Sequence, residues 1–265
     1  MKTIISTTYN DNYLFFLPIT TWSWNKLGVD VICFMPKEMT QSDSDKINLQ
    51  ENIFKKNVSS VEFHLFDCNK NKEATYSQCS RLYAGALEKI LDNEILVTSD
   101  IDMSLFEIPP HSLVDEFTIF GADLVPNSQY PMCYISATKR KWKEYFNVGD
   151  KTVQQCLDEL LGDIDCENMR GNYWAKDQET AFNLIFNKFP VLVNRSKPRT
   201  QFATKRLDRD DAFLLERDMT DIIDFHMTRP GYDYIEKIIK VFETKYPFDD
   251  FTWMREYANA YKQLI

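Results

Sequence analysis

Asp100 and Asp102 close a short apolar run, Ile95-Leu96-Val97-Thr98, with only Ser99 between the run and the first aspartate. Alternation along an extended segment sends the two carboxylates to one side and Ile101 to the other, into the fold. Carboxylates converging on one point repel each other unless a cation lies between them, so the spacing suits half of a divalent-metal site. Asp is also a common strand-closing turn residue. A third donor is at hand in His226, one of three histidines, which ends a second apolar segment, Ile222-Ile223-Asp224-Phe225. Neutral imidazole binds transition metals well, although a lone histidine at a strand end is more commonly structural.

Other residues suit a nucleotide. The run Thr7-Thr8-Tyr9-Asn10-Asp11-Asn12-Tyr13 follows the first apolar segment and offers hydroxyls, amides and a ring on which a flat heterocycle can stack. As a plain helix-capping loop it needs no ligand. Arg81 lies just beyond the apolar stripe of a helical stretch, where a guanidinium can neutralise a phosphate, pair with an aspartate or simply be solvated. Asp177 and Gln178 sit in the first turn of another helical stretch, where an acidic residue complements the helix dipole.

The elements that must hold these residues follow from periodicity. Lys2 to Thr8, Val29 to Met35, Ser60 to Phe66, Ile95 to Thr98, Phe117 to Val125 and Met132 to Ala137 are strand-like. Leu14 to Trp24 is helical in part, Pro36 to Lys46 is a surface loop or a helix start, and Thr138 to Phe146 is a basic, aromatic helix. Tyr76, Cys79, Tyr83, Leu87 and Ile90 recur at helical spacing and predict one helix from Tyr76 to Leu91, leading into the Asp100 strand. Pro109-Pro110 stops regular structure. Ile235, Ile238, Ile239 and Phe242 mark one face of the C-terminal helices. Strands alternating with helices imply an α/β fold, and ligands of open α/β sheets bind at the carboxyl ends of the strands.

Composition limits what the chain can be. Its 265 residues, 44% hydrophobic and 14% aromatic, can bury a sizeable core, and no linker or low-complexity run divides them. A net charge of −9 repels a polyphosphate backbone, which argues against nucleic acid as a partner. No C-x-x-C pair occurs among six cysteines, Met1-Lys2-Thr3-Ile4-Ile5 runs straight into a strand-like segment with no long apolar h-region, and no stretch is long enough to span a bilayer. Free thiols and a soluble cytoplasmic protein are expected.

Taken in order, these pieces resemble the metal-dependent glycosyltransferases of the GT-A fold, most closely the family 8 type that uses UDP-sugars. The resemblance is carried by Thr8, Asn10, Asn12 and Tyr13 in the loop after the first strand, by Arg81 before the D-x-D of Asp100 and Asp102, by Asp177, Gln178, Glu179 and Asn183, and by His226 followed by Arg229 and Pro230. It spans Thr8 to Pro230, with a shorter gap between His226 and Arg229 than that family usually has. It implies a Rossmann-like α/β fold with a mixed central sheet flanked by helices, in one domain. Residues 1–105 would form the nucleotide-sugar half, 106–230 the acceptor half and 231–265 the C-terminal helices.

By the same resemblance, Asp100, Asp102 and His226 would hold Mn²⁺ or Mg²⁺, bridging the diphosphate of a UDP-sugar. Mn²⁺ is favoured because imidazole suits it better. Thr8, Tyr9, Asn10, Asn12 and Tyr13 would contact the nucleotide, while Arg81, Asp100 and Arg229 would contact the diphosphate region. Asp177 would orient or deprotonate a hydroxyl of a glycan or glycoprotein acceptor, and Gln178 would lie beneath the sugar. Retention and inversion both remain open. A nucleotidyltransferase would carry a glycine- and Lys/Arg-rich phosphate loop, and a metallophosphohydrolase more clustered histidines. The non-enzymatic alternative is a glycan-binding or scaffold protein on the same fold.

Overall fold

A computed structural model describes residues 1–108, 117–120, 128–162, 175–186, 206–209 and 222–265. Along the chain, β1 (Lys2–Ser6) leads through the one-turn α1 (Asp11–Leu14) into α2 (Leu17–Lys26), then β2 (Asp30–Pro36), α3 (Gln41–Asn57) and β3 (Val61–Phe66). Next come α4 (Glu73–Ser80), a 3₁₀ segment (Arg81–Ala86), β4 (Ile95–Thr98), β5 (Met103–Leu105), β6 (Thr118–Ile119), β7 (Ile135–Thr138) and α5 (Lys139–Tyr145). The described remainder comprises α6 (Val153–Leu161), α7 (Lys176–Phe186), β8 (Arg206–Leu207), β9 (Asp224–His226), α8 (Ile235–Lys245) and α9 (Thr252–Lys262).

The main sheet has the order β3-β2-β1-β4-β7-β6. β1 to β4 run parallel, while β7 pairs antiparallel with both β4 and β6. It is therefore a mixed six-stranded sheet in an α/β fold. The continuous apolar run Val31–Met35 in β2 and the buried Thr3-Ile4-Ile5 of β1 match burial on both faces, the usual state of a parallel strand. One face carries a core built from α2, α8 and α9, in which Phe15 stacks on Tyr257 with ring centroids 5.0 Å apart. The other carries Tyr76, Leu82, Trp142 and Leu157 from α4, the 3₁₀ segment, α5 and α6.

A second sheet, β5-β9-β8, decides where the site lies. β4 belongs to the first sheet and β5 to the second, and the D-x-D residues form the turn between them, closed by Met103 N–H donating to the Asp100 carbonyl at 3.2 Å. Three further bonds hold that turn. Ser99 N–H donates to Ile4 O at 2.9 Å, Thr20 Oγ1 donates to Ile101 O, and Met227 N–H donates to Asp102 O at 2.8 Å. Asp100 and Asp102 both line a cavity, which Ile101 borders as it packs into the core; the cause is this turn and not the alternation of an extended strand.

Several elements differ from the periodicity. Apolar spacing continues past Ser80, yet α4 ends there, and the backbone tightens into a 3₁₀ segment kinked at Tyr83. The cause is α5. Trp142 Nε1 donates to Leu82 O at 2.8 Å, and α5 approaches so closely that a Cβ on Gly85 would stand 3.1 Å from the Lys143 backbone nitrogen. Within Pro36 to Lys46 the helix-start alternative is the one found: the 17-residue α3 begins at Gln41, behind a capping box in which the Thr40 side chain and Asp43 satisfy each other's backbone N–H groups. Of the strand expected at Phe117 to Val125, residues 118–119 are strand, and 121–125 lie outside the described residues. Asn183 falls on α7.

Candidate functional site

The carboxyl ends of β1 and β4, the start of α7 and the ends of β8 and β9 surround a cavity of about 470 Å³, within the range of small-molecule sites. Of the residues singled out from sequence, Thr8, Asn10, Tyr13, Arg81, Asp100, Asp102, Asp177, Gln178, His226 and Arg229 all line it. Tyr9 and Asn12 do not. Tyr9 is buried in the core, where its hydroxyl donates to Pro36 O at 2.7 Å, and Asn12 is an exposed residue of α1 whose N–H donates to the Asn10 side chain at 3.0 Å. The loop after β1 turns into α1 at Asp11, which leaves Tyr9 packed in the core and Asn12 at the exposed helix surface, both away from the cavity.

Arg81 is the centre of one charged group. Its Nη1 donates to Asp100 Oδ1 at 2.6 Å and to Ser99 O at 2.9 Å, and its Nη2 donates to Asp177 Oδ2 at 2.8 Å. Burial lowers the Arg81 pKa, but Asp100 and Asp177 more than compensate and hold it above the ordinary value. Asp177 is 2% exposed, and its Oδ1 accepts the Gln178 N–H at 2.8 Å. Burial raises its pKa above the usual 3.8, against the Arg81 charge. Of a carboxylate's roughly four lone-pair sites, these bonds take two.

Asp102 is the centre of the other. It is 3% exposed, and three cationic or cation-forming groups surround its Oδ2: Arg209 Nη2 at 3.0 Å, Arg229 Nε at 3.4 Å and His226 Nε2 at 3.5 Å. The register Met103↔His226 brings the histidine beside the aspartates from far along the chain. Arg229 also lies over the Tyr13 ring, 4.8 Å from its centroid, and donates to the Tyr13 hydroxyl, so it joins the loop after β1 to the D-x-D turn. Burial lowers the His226 pKa, while Asp102, with Asp100 and Asp208, lifts it above the ordinary 6.5.

No family model matches the chain, and no curated protein matches it.

For a divalent ion, the chemistry of the donor set fits in part. Two donors at about 2.1 Å from one ion and at right angles would stand roughly 3 Å apart, close to the 3.5 Å between Asp102 Oδ2 and His226 Nε2. Asp100, the third expected ligand, is turned on to Arg81 instead, and among the described residues no three His, Cys, Asp or Glu side chains form a group that could hold a metal ion.

Sequence reasoning passed over two residues that line this cavity, Arg206 and Arg209, and Asp208 beside them. Arg209 donates from Nε and Nη2 to His226 Nε2, the Nε bond measuring 3.0 Å. Asp208 contacts the other ring nitrogen, and Arg206 is bound through Nε and Nη2 to the fully buried Asp224 at 2.9 and 2.7 Å. The stretch Arg206-Leu207-Asp208-Arg209-Asp210-Asp211 is so charged that it reads as solvated surface, and its strand is two residues long, too short for any period. Cys33, Cys68, Cys79 and Cys156 are free thiols; Cys166 lies outside the described residues. Among the described residues no helix is long and apolar enough to cross a membrane.

Proposed function

We propose that the chain is a GT-A-type glycosyltransferase that moves a sugar from a nucleoside-diphosphate donor, a UDP-sugar, to a hydroxyl of a glycan or glycoprotein acceptor. One observation carries this reading: both D-x-D carboxylates, His226, the Arg81–Asp177 pair and the loop of Thr8, Asn10 and Tyr13 line a single cavity at the carboxyl edge of β1 and β4. That edge is where open α/β sheets take nucleotides.

Asp102 and His226, joined by Asp100, would hold Mn²⁺ or Mg²⁺, which would offset negative charge on the departing diphosphate. Arg229, and Arg209 opposite it, offer charge-assisted hydrogen bonds to the same phosphates. Arg81 holds Asp177 in place. Asp177 orients the acceptor hydroxyl and can take its proton, and Gln178 follows it at the sugar's position. Tyr13 supplies a ring and Thr8 and Asn10 polar groups for the base.

A second reading, a glycan-binding or scaffold protein on the same architecture, draws support from Arg209, whose guanidinium neutralises Asp102 with no ion needed. Titration calorimetry of UDP with and without Mn²⁺, against GDP, separates the two. A transferase should bind UDP tightly only with Mn²⁺ and lose that dependence in Asp102→Asn; no nucleotide binding under any metal condition would refute the transferase and favour the scaffold.

A further inference from the structure

β3 is the outer strand of the six-stranded sheet, and among the described residues no strand pairs with its outer side. Its register on β2 is unbroken from Val61 to Phe66, without the proline, lysine or bulge that commonly blunts an exposed edge. Lys37 N–H donates to Phe66 O at 2.8 Å, which turns the Phe66 backbone towards β2. Backbone groups alternate in direction along a strand, so the N–H and C=O of Val61, Phe63 and Leu65 point outward. The edge is apolar as well: Phe63 is 40% and Leu65 54% exposed, on the face where Phe63 meets Phe54 of α3. Glu62 and His64 stand on the opposite face, where the His64 ring lies beside Phe34.

The order Val61-Glu62-Phe63-His64-Leu65 alternates apolar side chains with an acid and an imidazole, and it is complementary to itself when reversed. In an antiparallel pair of two such edges outward backbone groups must meet outward groups, so the central two-fold axes fall at Glu62, Phe63 or His64. An axis at Glu62 sets that carboxylate against the partner's Glu62. An axis at His64 sets the two imidazoles together and leaves Glu62 against the partner's Phe66. Only the axis at Phe63 places Glu62 opposite the partner's His64 and Val61 opposite the partner's Leu65. Val61, Phe63 and Leu65 then exchange N–H···O bonds with the other copy, and each acid meets an imidazole in a non-hydrogen-bonded pair, where side chains approach closest. We propose that the chain associates with a second copy of itself through β3, antiparallel about Phe63, which joins the two six-stranded sheets into one. The inference does not depend on what the cavity at β1 and β4 binds.

The test is sedimentation equilibrium of the full chain from about 1 to 200 µM, where a reversible monomer–dimer equilibrium is expected. Phe63→Pro removes an N–H that faces away from β2, a position where an edge strand accepts proline, and should leave a folded monomer by circular dichroism. Glu62→His and His64→Glu should each weaken the dimer about 2- to 30-fold, since the axis loses two opposed pairs at once. The exchanged variant, Glu62→His with His64→Glu, restores the pairing and should return to within about 2-fold of wild type. Amide hydrogen exchange reads the register directly. At the high concentration the N–H groups of Val61, Phe63 and Leu65 should slow, while those of Glu62 and His64, which face β2, should exchange alike at both. A chain that stays monomeric throughout overturns the proposal. So does a dimer that survives Phe63→Pro, an exchanged variant no tighter than the single ones, or a dimer whose Phe63 amide exchanges as fast as the monomer's.

Discussion

Arg81 divides its guanidinium between two carboxylates in unlike surroundings: the Asp177 side chain is 3% exposed and the Asp100 side chain 39%. Replacing Arg81 with Met keeps much of the stem and removes the charge. Asp100 can turn to water, so losing its partner costs at most about 1 kcal/mol. Asp177 cannot, and a buried carboxylate stripped of its counter-charge costs about 3–5 kcal/mol. The expected loss in Arg81→Met is therefore about 4 kcal/mol, nearly all of it at Asp177. Adding Asp177→Asn to Arg81→Met should restore about 2 kcal/mol or more, because a neutral amide needs no counter-charge, whereas adding Asp100→Asn should restore less than about 1 kcal/mol.

The loss also has a pH signature. Burial already holds the Asp177 pKa above 3.8 while Arg81 pulls it down, so removing the cation raises it further. A carboxyl whose folded pKa exceeds its unfolded value binds more protons when folded, and its folded state gains as pH falls. The Arg81→Met deficit should thus shrink between about pH 7.5 and pH 5. Urea denaturation followed by tryptophan fluorescence measures both quantities. A deficit below about 1 kcal/mol, or one that does not move with pH, refutes the account of Asp177 as a desolvated carboxylate held by Arg81.

Two further outcomes are expected. If Asp177 takes the acceptor proton, the acidic limb of the rate profile lies above the ordinary 3.8 of a free aspartate and disappears in Asp177→Asn; a limb unchanged in that variant assigns the proton elsewhere. Gly231→Ala would put a Cβ 2.4 Å from Phe16 Cε1 and 2.7 Å from Phe15 Cδ1, two fully buried rings. Such overpacking costs about 1–3 kcal/mol, and chemical denaturation showing a loss under about 0.5 kcal/mol would mean that the rings have room to move.

Much of the fold was legible because burial leaves a local period. β1 to β4 and the C-terminal helices lie where apolar runs and helical stripes predict them, and the D-x-D residues do emerge at the end of a strand. The helix expected from Tyr76 to Leu91 fails after Ser80 for a reason no local pattern holds: α5, more than fifty residues on, crowds the backbone at Gly85 and takes the Leu82 carbonyl. Tyr9 shows the same limit in the loop after β1. Its type suits a nucleotide site, but its hydroxyl is spent on the Pro36 carbonyl of β2.

The sequence by itself determined the alternation of strands and helices, the abrupt stop of an apolar strand at two aspartates, and the types of residue that could meet a nucleotide and a cation. Only the tertiary structure decided their company. The register of β5 on β9 set His226 beside Asp102, the register of β8 on β9 added Asp208 and Arg209, and the 3₁₀ turn after α4 delivered Arg81 to both Asp100 and Asp177. The physical reason is one of range. Periods of 2 and 3.6 record which face of a segment is buried, whereas charge pairing across a cavity depends on strand register and helix approach between segments that share no local signal.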